Sequence, residues 1–266
     1  MILFPPAKIN LGLNILNKRH DGFHELETVL LQIPVYDVLE ILPAGKFSYH
    51  QSGLQFGQQV ESNLVVKAYR LLQKKCDIPE TSFHLLKNIP AGAGLGGGSA
   101  DATYTLMGLN TLYNLNLSSA ALQGLSGQLG SDCPCFVHDQ PQIATGRGDV
   151  LEPLALDLKG YYLKLINPGI HINTVQAYSE IQLSKQTESI HKVINRPIEE
   201  WKSHLFNSFE TSVFNKYPEL KELKTSLYDQ GALYASMTGS GSSLYGIYMD
   251  EPSNSNDDLF ERIVQL

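Results

Sequence analysis

Ile89-Pro-Ala-Gly-Ala-Gly-Leu-Gly-Gly-Gly-Ser-Ala-Asp-Ala102 is the stretch whose residue types point most directly to chemistry. Five of the chain's 22 glycines lie between Gly92 and Gly98. Glycine tolerates positive φ and lets backbone approach a ligand closely. The preceding Ser82-Phe-His-Leu-Leu-Lys87 reads as a strand. After the run, Ser99 reads as an N-cap, and Leu106, Met107, Leu109, Leu112 and Tyr113 form a helical apolar stripe. A strand, a glycine turn and a helix N-terminus together bind phosphate, because free N–H groups and the positive end of the helix dipole converge there.

Several known phosphate loops are excluded. A Walker loop requires Gly-Lys-Ser/Thr, and no lysine follows these glycines. Gly92, Gly94 and Gly97 satisfy Gly-x-Gly-x-x-Gly, but the ribose-binding acid expected about 20 residues on is missing from Asn110-Thr-Leu-Tyr-Asn-Leu-Asn116. Neither His-Arg-Asp nor Asp-Phe-Gly occurs, which excludes a protein kinase. A plain surface loop seldom sits tightly between a strand and a capped helix.

Ala7–Leu16 alternates, so Lys8, Asn10, Gly12 and Asn14 share one strand face and Ile9, Leu11, Leu13 and Ile15 the other. That polar face reads either as a binding surface or as an ordinary solvent-facing edge. Asp132 lies in Ser131-Asp-Cys-Pro-Cys-Phe-Val137, between a helix end and an expected strand, where an acid is most often a turn residue. His20 and His24 have helical metal-ligand spacing, but Asp21-Gly22 between them makes a turn and rules out a metal site.

The remaining elements frame these residues. Strands are expected over Leu26–Ile33 and Asp37–Leu42, with a polar surface hairpin over Gly45–Val60. Amphipathic helices are expected over Ser62–Leu72 and over Ser118–Leu129, the second stopping at Gly130. Beyond Pro153 come a strand at Tyr161–Ile166, helices between Thr174 and Asp229, and a strand–turn–strand over Leu233–Met249. A last helix is expected from Asn256 to the end. The division falls near Leu154, giving domains 1–153 and 154–266.

At 266 residues, with 42% hydrophobic and 18% charged content, the chain reads as a soluble globular protein. A net charge of −7 speaks against a broad nucleic-acid surface. Cys133-Pro-Cys135 has neither redox nor zinc spacing, and three reduced thiols fit a cytoplasmic location. Met1–Lys8, interrupted by Pro5, Pro6 and Lys8, does not read as a signal peptide, and no apolar run of about 20 residues is found in the sequence.

Three motifs now stand in order: Pro6-Ala-Lys-Ile-Asn-Leu-Gly-Leu13, Pro90–Ala102 and Met237-Thr-Gly-Ser-Gly-Ser-Ser243. Together they resemble the GHMP small-molecule kinases, which phosphorylate galactose, homoserine, mevalonate and related compounds, and the resemblance spans essentially the whole chain. Arg19-His-Asp-Gly-Phe-His-Glu-Leu-Glu-Thr28, Gly130-Ser-Asp-Cys-Pro-Cys-Phe136 and Ala144-Thr-Gly-Arg-Gly-Asp149 are similar to the branch whose acceptor carries a cytidine diphosphate. The resemblance implies an α+β, two-domain GHMP kinase fold. Its N-terminal domain would be like domain 2 of ribosomal protein S5, its C-terminal domain ferredoxin-like, and the active site would lie in the cleft between them. The implied function is ATP-dependent phosphorylation, with Mg²⁺, of the 2-hydroxyl of 4-diphosphocytidyl-2-C-methyl-D-erythritol in the non-mevalonate route to isoprenoid precursors. The alternatives are a mevalonate or homoserine kinase, or an inactive nucleotide-binding relative.

By the same resemblance, Lys8 and Asp132 match the catalytic pair and Asn10 steadies it. Pro90, Ala91, Gly92, Ala93, Gly94, Leu95, Gly96, Gly97, Gly98, Ser99 and Ala100 wrap the ATP phosphates, with Ser99 a candidate Mg²⁺ contact. Asn63 and Lys67 fall where adenosine is contacted. Phe23 and His24 match the cytosine-recognition element, Tyr178 an aromatic on the opposite face of the base, and Thr174 a residue near the substrate. Phe23 stands where tyrosine is common and Ala100 where serine is frequent, so one hydroxyl is missing at each. The implied partner is a small molecule, with neither nucleic acid nor membrane, for a monomer or homodimer.

Overall fold

In the computed structural model the described residues are 1–55, 59–181, 188–254 and 259–266. Their strands are β1 (Ile2–Leu3), β2 (Pro6–Lys18), β3 (His24–Tyr36), β4 (Val38–Pro43), β5 (Ser48–Gly53), β6 (Thr81–Lys87), β7 (Gln142–Thr145), β8 (Val150–Pro153), β9 (Tyr162–Asn167), β10 (Tyr234–Met237), β11 (Leu244–Tyr248) and β12 (Phe260–Gln265). The helices are α1 (Leu64–Gln73), α2 (Gly97–Leu112), α3 (Ser119–Ser126), α4 (Thr174–Ser179), α5 (Ile190–Val193), α6 (Ile198–His204), α7 (Glu210–Lys216) and α8 (Pro218–Asp229). The chain forms two compact units. One comprises Met1–Ala7, Val35–Ala91 and Gly96–Asp139, the other Lys8–Pro34, Gly92–Leu95 and Gln140–Leu266.

The first unit is built on a sheet of order β1-β4-β6-β5, in which only the β5–β6 pairing is parallel. β6 alternates strictly, burying Thr81, Phe83, Leu85 and Lys87. Phe83 and Leu85 meet Val65, Ala68, Tyr69 and Leu72 of α1 and Ala102, Leu106 and Leu109 of α2 in one core. A fully buried aliphatic or aromatic side chain contributes about 1.5–3 kcal/mol, so this apolar face holds α2, and with it the end of the glycine run, against the sheet.

The second unit holds two four-stranded sheets, β2-β3-β7-β8 and β10-β11-β9-β12. Ile166, Met237 and Leu244 of the latter share a core with Phe209, Val213, Leu220 and Leu227 of α7, α8 and their approach. The strand–turn–strand expected over Leu233–Met249 is the β10–β11 hairpin, paired from Tyr234↔Ile247 to Met237↔Leu244.

Several expectations need correction. Residues 260–265 form a strand, not a helix. Phe260, Arg262 and Val264 alternate with Glu261, Ile263 and Gln265 along the edge of β9, and those backbone pairs outweigh local helix propensity. Gly45–Val60 is not a free hairpin, since β5 extends β6 in parallel, although residues 56–58 lie outside the described residues. Cys133–Val137 is a 3-10 turn with Pro134 at its start, rather than a strand. β2 is buried on both faces from Pro6 to Ile15, which removes the reading of a solvent-facing edge.

Candidate active site

Lys8 and Asn10 enter the second unit on β2, and both are under 5% exposed. Lys8 Nζ donates to Asn10 Oδ1 at 2.6 Å. Asn10 Nδ2 donates to the Thr28 hydroxyl at 3.0 Å, and that hydroxyl donates to the Gly12 carbonyl. Asn10 is also fixed through its backbone, its N–H donating to Thr238 Oγ1 at 3.1 Å and its carbonyl accepting from the Tyr245 hydroxyl at 2.7 Å. A lysine fastened this way points in one direction, whereas a surface lysine samples many rotamers.

The same threonine holds the glycine run. Thr238 Oγ1 lies 3.0 Å from the Gly94 carbonyl and 3.2 Å from Asn10 Oδ1, and its single proton serves one acceptor at a time. The Lys8 N–H donates to the Leu95 carbonyl at 2.9 Å and the Ser243 N–H to the Ala93 carbonyl at 3.3 Å. Gly94 adopts φ +77°, and a Cβ there would fall on the Thr238 carbonyl oxygen, so only glycine fits. Asn207 secures the β10–β11 turn from behind, donating to the Met237 and Gly239 carbonyls at 2.7 and 2.8 Å.

In the first unit, α2 opens at Gly97, with Gly96 as its N-cap at φ +68° and no side chain capping the helix. Ser99 is therefore a first-turn residue and not the cap expected from sequence. With no side-chain cap, the first-turn N–H groups remain available to an anion. Asp132 starts the 3-10 turn, and Thr103 of α2 secures that turn by donating to the Cys133 carbonyl at 2.7 Å. A Cβ added at Gly130 would meet Cys133 Sγ at 3.3 Å and Ser99 Oγ at 3.8 Å, so the turn carrying Asp132 packs beside Ser99. Burial, reinforced by the Asp132 charge, pushes the Cys133 thiol up to about 11. Asn63 caps α1, its side chain accepting from the Val65 N–H at 2.9 Å. Lys67 is exposed one turn further on. Leu64, next to the cap, lies 3.4 Å from where a Cβ on Gly98 would stand.

The remaining candidates form an aromatic group in the second unit. His24 and Tyr178 stack at 5.1 Å with an interplanar angle of 24°, and Tyr178 meets Phe209 edge-on at 4.9 Å. Phe23 is 55% exposed and lies under the Arg147 guanidinium, 4.8 Å from its ring centroid. Asp149 holds that guanidinium at 3.0 Å. Thr174 opens α4 with its hydroxyl 3.1 Å from that of Ser240. Sequence reasoning gave no role to Arg147, Thr28 or Asn207. The first two stand inside quoted motifs, while nothing around Asn207 marks it.

The chain matches the GHMP kinases N terminal domain over residues 63–146 and the GHMP kinases C terminal domain over residues 189–263. It is 49% identical, over 93% of each chain, to a 4-diphosphocytidyl-2-C-methyl-D-erythritol kinase of Azobacteroides pseudotrichonymphae. To the enzyme of that name from Bacteroides fragilis strain YCH46 it is 48% identical, over 94% of this chain and 93% of that one. The chain belongs to the 4-diphosphocytidyl-2-C-methyl-D-erythritol kinase family of GHMP kinases. A crystal structure of 4-(cytidine 5'-diphospho)-2C-methyl-D-erythritol kinase superposes with a TM-score of 0.78 at 32% identity, covering 93% of this chain and 90% of that one. The mevalonate kinase of Methanococcus jannaschii superposes with a TM-score of 0.70 at 14% identity, covering 99% and 96%, which shows a shared fold. No described helix is long and apolar enough to cross a membrane.

Proposed function

We propose that this kinase transfers the γ-phosphoryl group of ATP to the 2-hydroxyl of 4-diphosphocytidyl-2-C-methyl-D-erythritol, releasing ADP. The observation that carries the reading is the Thr238 hydroxyl, which lies within hydrogen-bond reach of both the glycine run and the residue that orients Lys8. One small side chain thereby couples phosphate binding to the positioning of a buried cation.

In this reading, residues 90–100 surround the ATP phosphates, with the uncapped first turn of α2 supplying N–H donors. Asn63 and Lys67 border the adenosine. The substrate hydroxyl oxygen forms a bond to Pγ as the bond from Pγ to the β-phosphate bridging oxygen breaks, and the hydroxyl proton passes to Asp132. Lys8, steadied by Asn10, keeps the hydroxyl and the transferring group in line. A positioned base contributes roughly 10²–10⁴-fold, and alignment with charge stabilisation supplies most of the rest. Phe23, His24, Tyr178 and Thr174 take the cytidyl end, through ring stacking and contacts to the edge of the base.

Among the described residues no group of three or more His, Cys, Asp or Glu is arranged to hold a metal ion. Mg²⁺ keeps several waters and binds through substrate phosphates with one or two protein ligands, Ser99 being the candidate here. Bound there, Mg²⁺ would neutralise charge on the β- and γ-phosphates.

The test is ADP release by the purified protein with ATP, Mg²⁺ and the cytidyl acceptor, with mevalonate and homoserine in parallel. Turnover confined to the cytidyl acceptor is expected. Turnover with another acceptor would defeat the cytosine assignment, and binding of ATP without any turnover would leave a nucleotide-binding relative.

A further inference from the structure

β6 ends on a lysine in its inward-facing series, and Lys87 is accordingly only 5% exposed. Its Nζ donates to Asp101 Oδ2 in the second turn of α2, at 2.8 Å, and to Asp37 Oδ2 just ahead of β4. The other oxygen of Asp37 accepts from the backbone N–H groups of Asn88 and Ile89, at 2.6 and 2.9 Å. A single ammonium therefore joins the residues that enter the glycine run to the helix that leaves it. Gly97 permits the approach, because a Cβ there would stand 2.8 Å from Ile89 Cγ2 and 3.3 Å from Lys87 Nζ.

The cluster is poorly explained as a device for stability. Two carboxylates and one ammonium are buried together, and Asp101 Oδ1 has no hydrogen-bond partner. Well-packed apolar residues in place of buried ion groups are often as stable or more so. What apolar residues cannot supply is direction: acceptors for two consecutive backbone N–H groups, and a fixed distance from them to α2.

We infer that Lys87, Asp37 and Asp101 are positioning residues that set the span between Asn88–Ile89 and the first turns of α2, and through it the affinity of the loop for nucleotide phosphate. The inference rests on the reading of residues 90–100 as the nucleotide loop. The three side chains would act through the loop and not on the nucleotide itself.

The test compares Asp101→Ala with Asp101→Asn by calorimetric titration of a non-hydrolysable ATP analogue with Mg²⁺, well below each variant's melting temperature. Alanine removes the tie yet leaves Lys87 paired with Asp37. Asparagine keeps an acceptor for Lys87. Asp101→Ala is expected to bind about tenfold more weakly, the scale of one charge-assisted hydrogen bond, and Asp101→Asn close to the wild type. Equal affinity in both variants, whether native or reduced, would overturn the inference, because only the tie distinguishes them. Absence of binding by the wild type would instead defeat the nucleotide-loop reading. Should Asp101→Ala fail to fold, amide hydrogen exchange in the wild type decides. The Asn88 and Ile89 amides should exchange with the same protection as those of the first helical turns bonded within α2, and much faster exchange at Asn88 and Ile89 would overturn the tie.

Discussion

The Thr238 hydroxyl and the Gly94 carbonyl stand 3.0 Å apart, although 144 residues separate them in the chain. The same hydroxyl accepts from the Asn10 N–H, and Asn10 in turn accepts from Lys8. Thr238→Val keeps the shape and removes the hydrogen bonds, leaving buried polar groups at Asn10 without that partner. Such a loss costs about 1–3 kcal/mol. Turnover is expected to fall by roughly tenfold or more, with a lowered melting temperature. Steady-state kinetics beside a thermal melt checks this, and unchanged turnover would remove Thr238 from the support of Lys8.

Asp132→Asn preserves the volume of the side chain while removing its capacity to take a proton. Turnover should drop by about 10²–10⁴-fold with nucleotide affinity nearly intact. A near-native kcat would exclude Asp132 as the base. Thr103 holds the turn by donating to the Cys133 carbonyl, a bond that the substitution does not remove.

His24→Ala removes one ring of the His24–Tyr178 stack while leaving Tyr178 edge-on to Phe209. The KM for the cytidyl acceptor is expected to rise at least tenfold, the scale of about 1.4 kcal/mol, and the KM for ATP to stay within twofold, on the order of 0.4 kcal/mol. Parallel rises in both constants would break the assignment of this group to cytosine.

Thiol reactivity offers a check on the first unit. The Cys133 thiol is buried and pushed up to about 11, so at pH 8 the nucleophilic thiolate is scarce and inaccessible. Alkylation of the native protein at that pH should label the half-buried Cys76 first, with Cys133 and Cys135 reacting only after denaturation. Peptide mass spectrometry gives the order directly, and early labelling of Cys133 would contradict its packing against α2.

Local chemistry was readable from residue order. The glycine run, its flanking strand and the α2 stripe follow from backbone freedom and from periodicity, both confined to short windows. The β10–β11 hairpin follows likewise from two apolar runs around small residues. That Lys87 lies on a strand was readable, and the observed burial pattern of β6 turns it inward. Its partners were not readable, because Asp37 lies 50 residues earlier and nothing near it marks a buried acid.

Where long-range pairing competes with local preference, only the tertiary structure decided. Residues 260–265 would satisfy their backbone in a helix as well as in a strand, and the open edge of β9 settles the matter. Ser99 has the right type for a cap, but the left-handed turn at Gly96 starts the helix earlier. Asn10 reads as one polar residue on a strand. Thr28, Thr238 and Tyr245 make it the joint on which Lys8 is oriented, and bonds across 18, 228 and 235 residues have no signature in any local window.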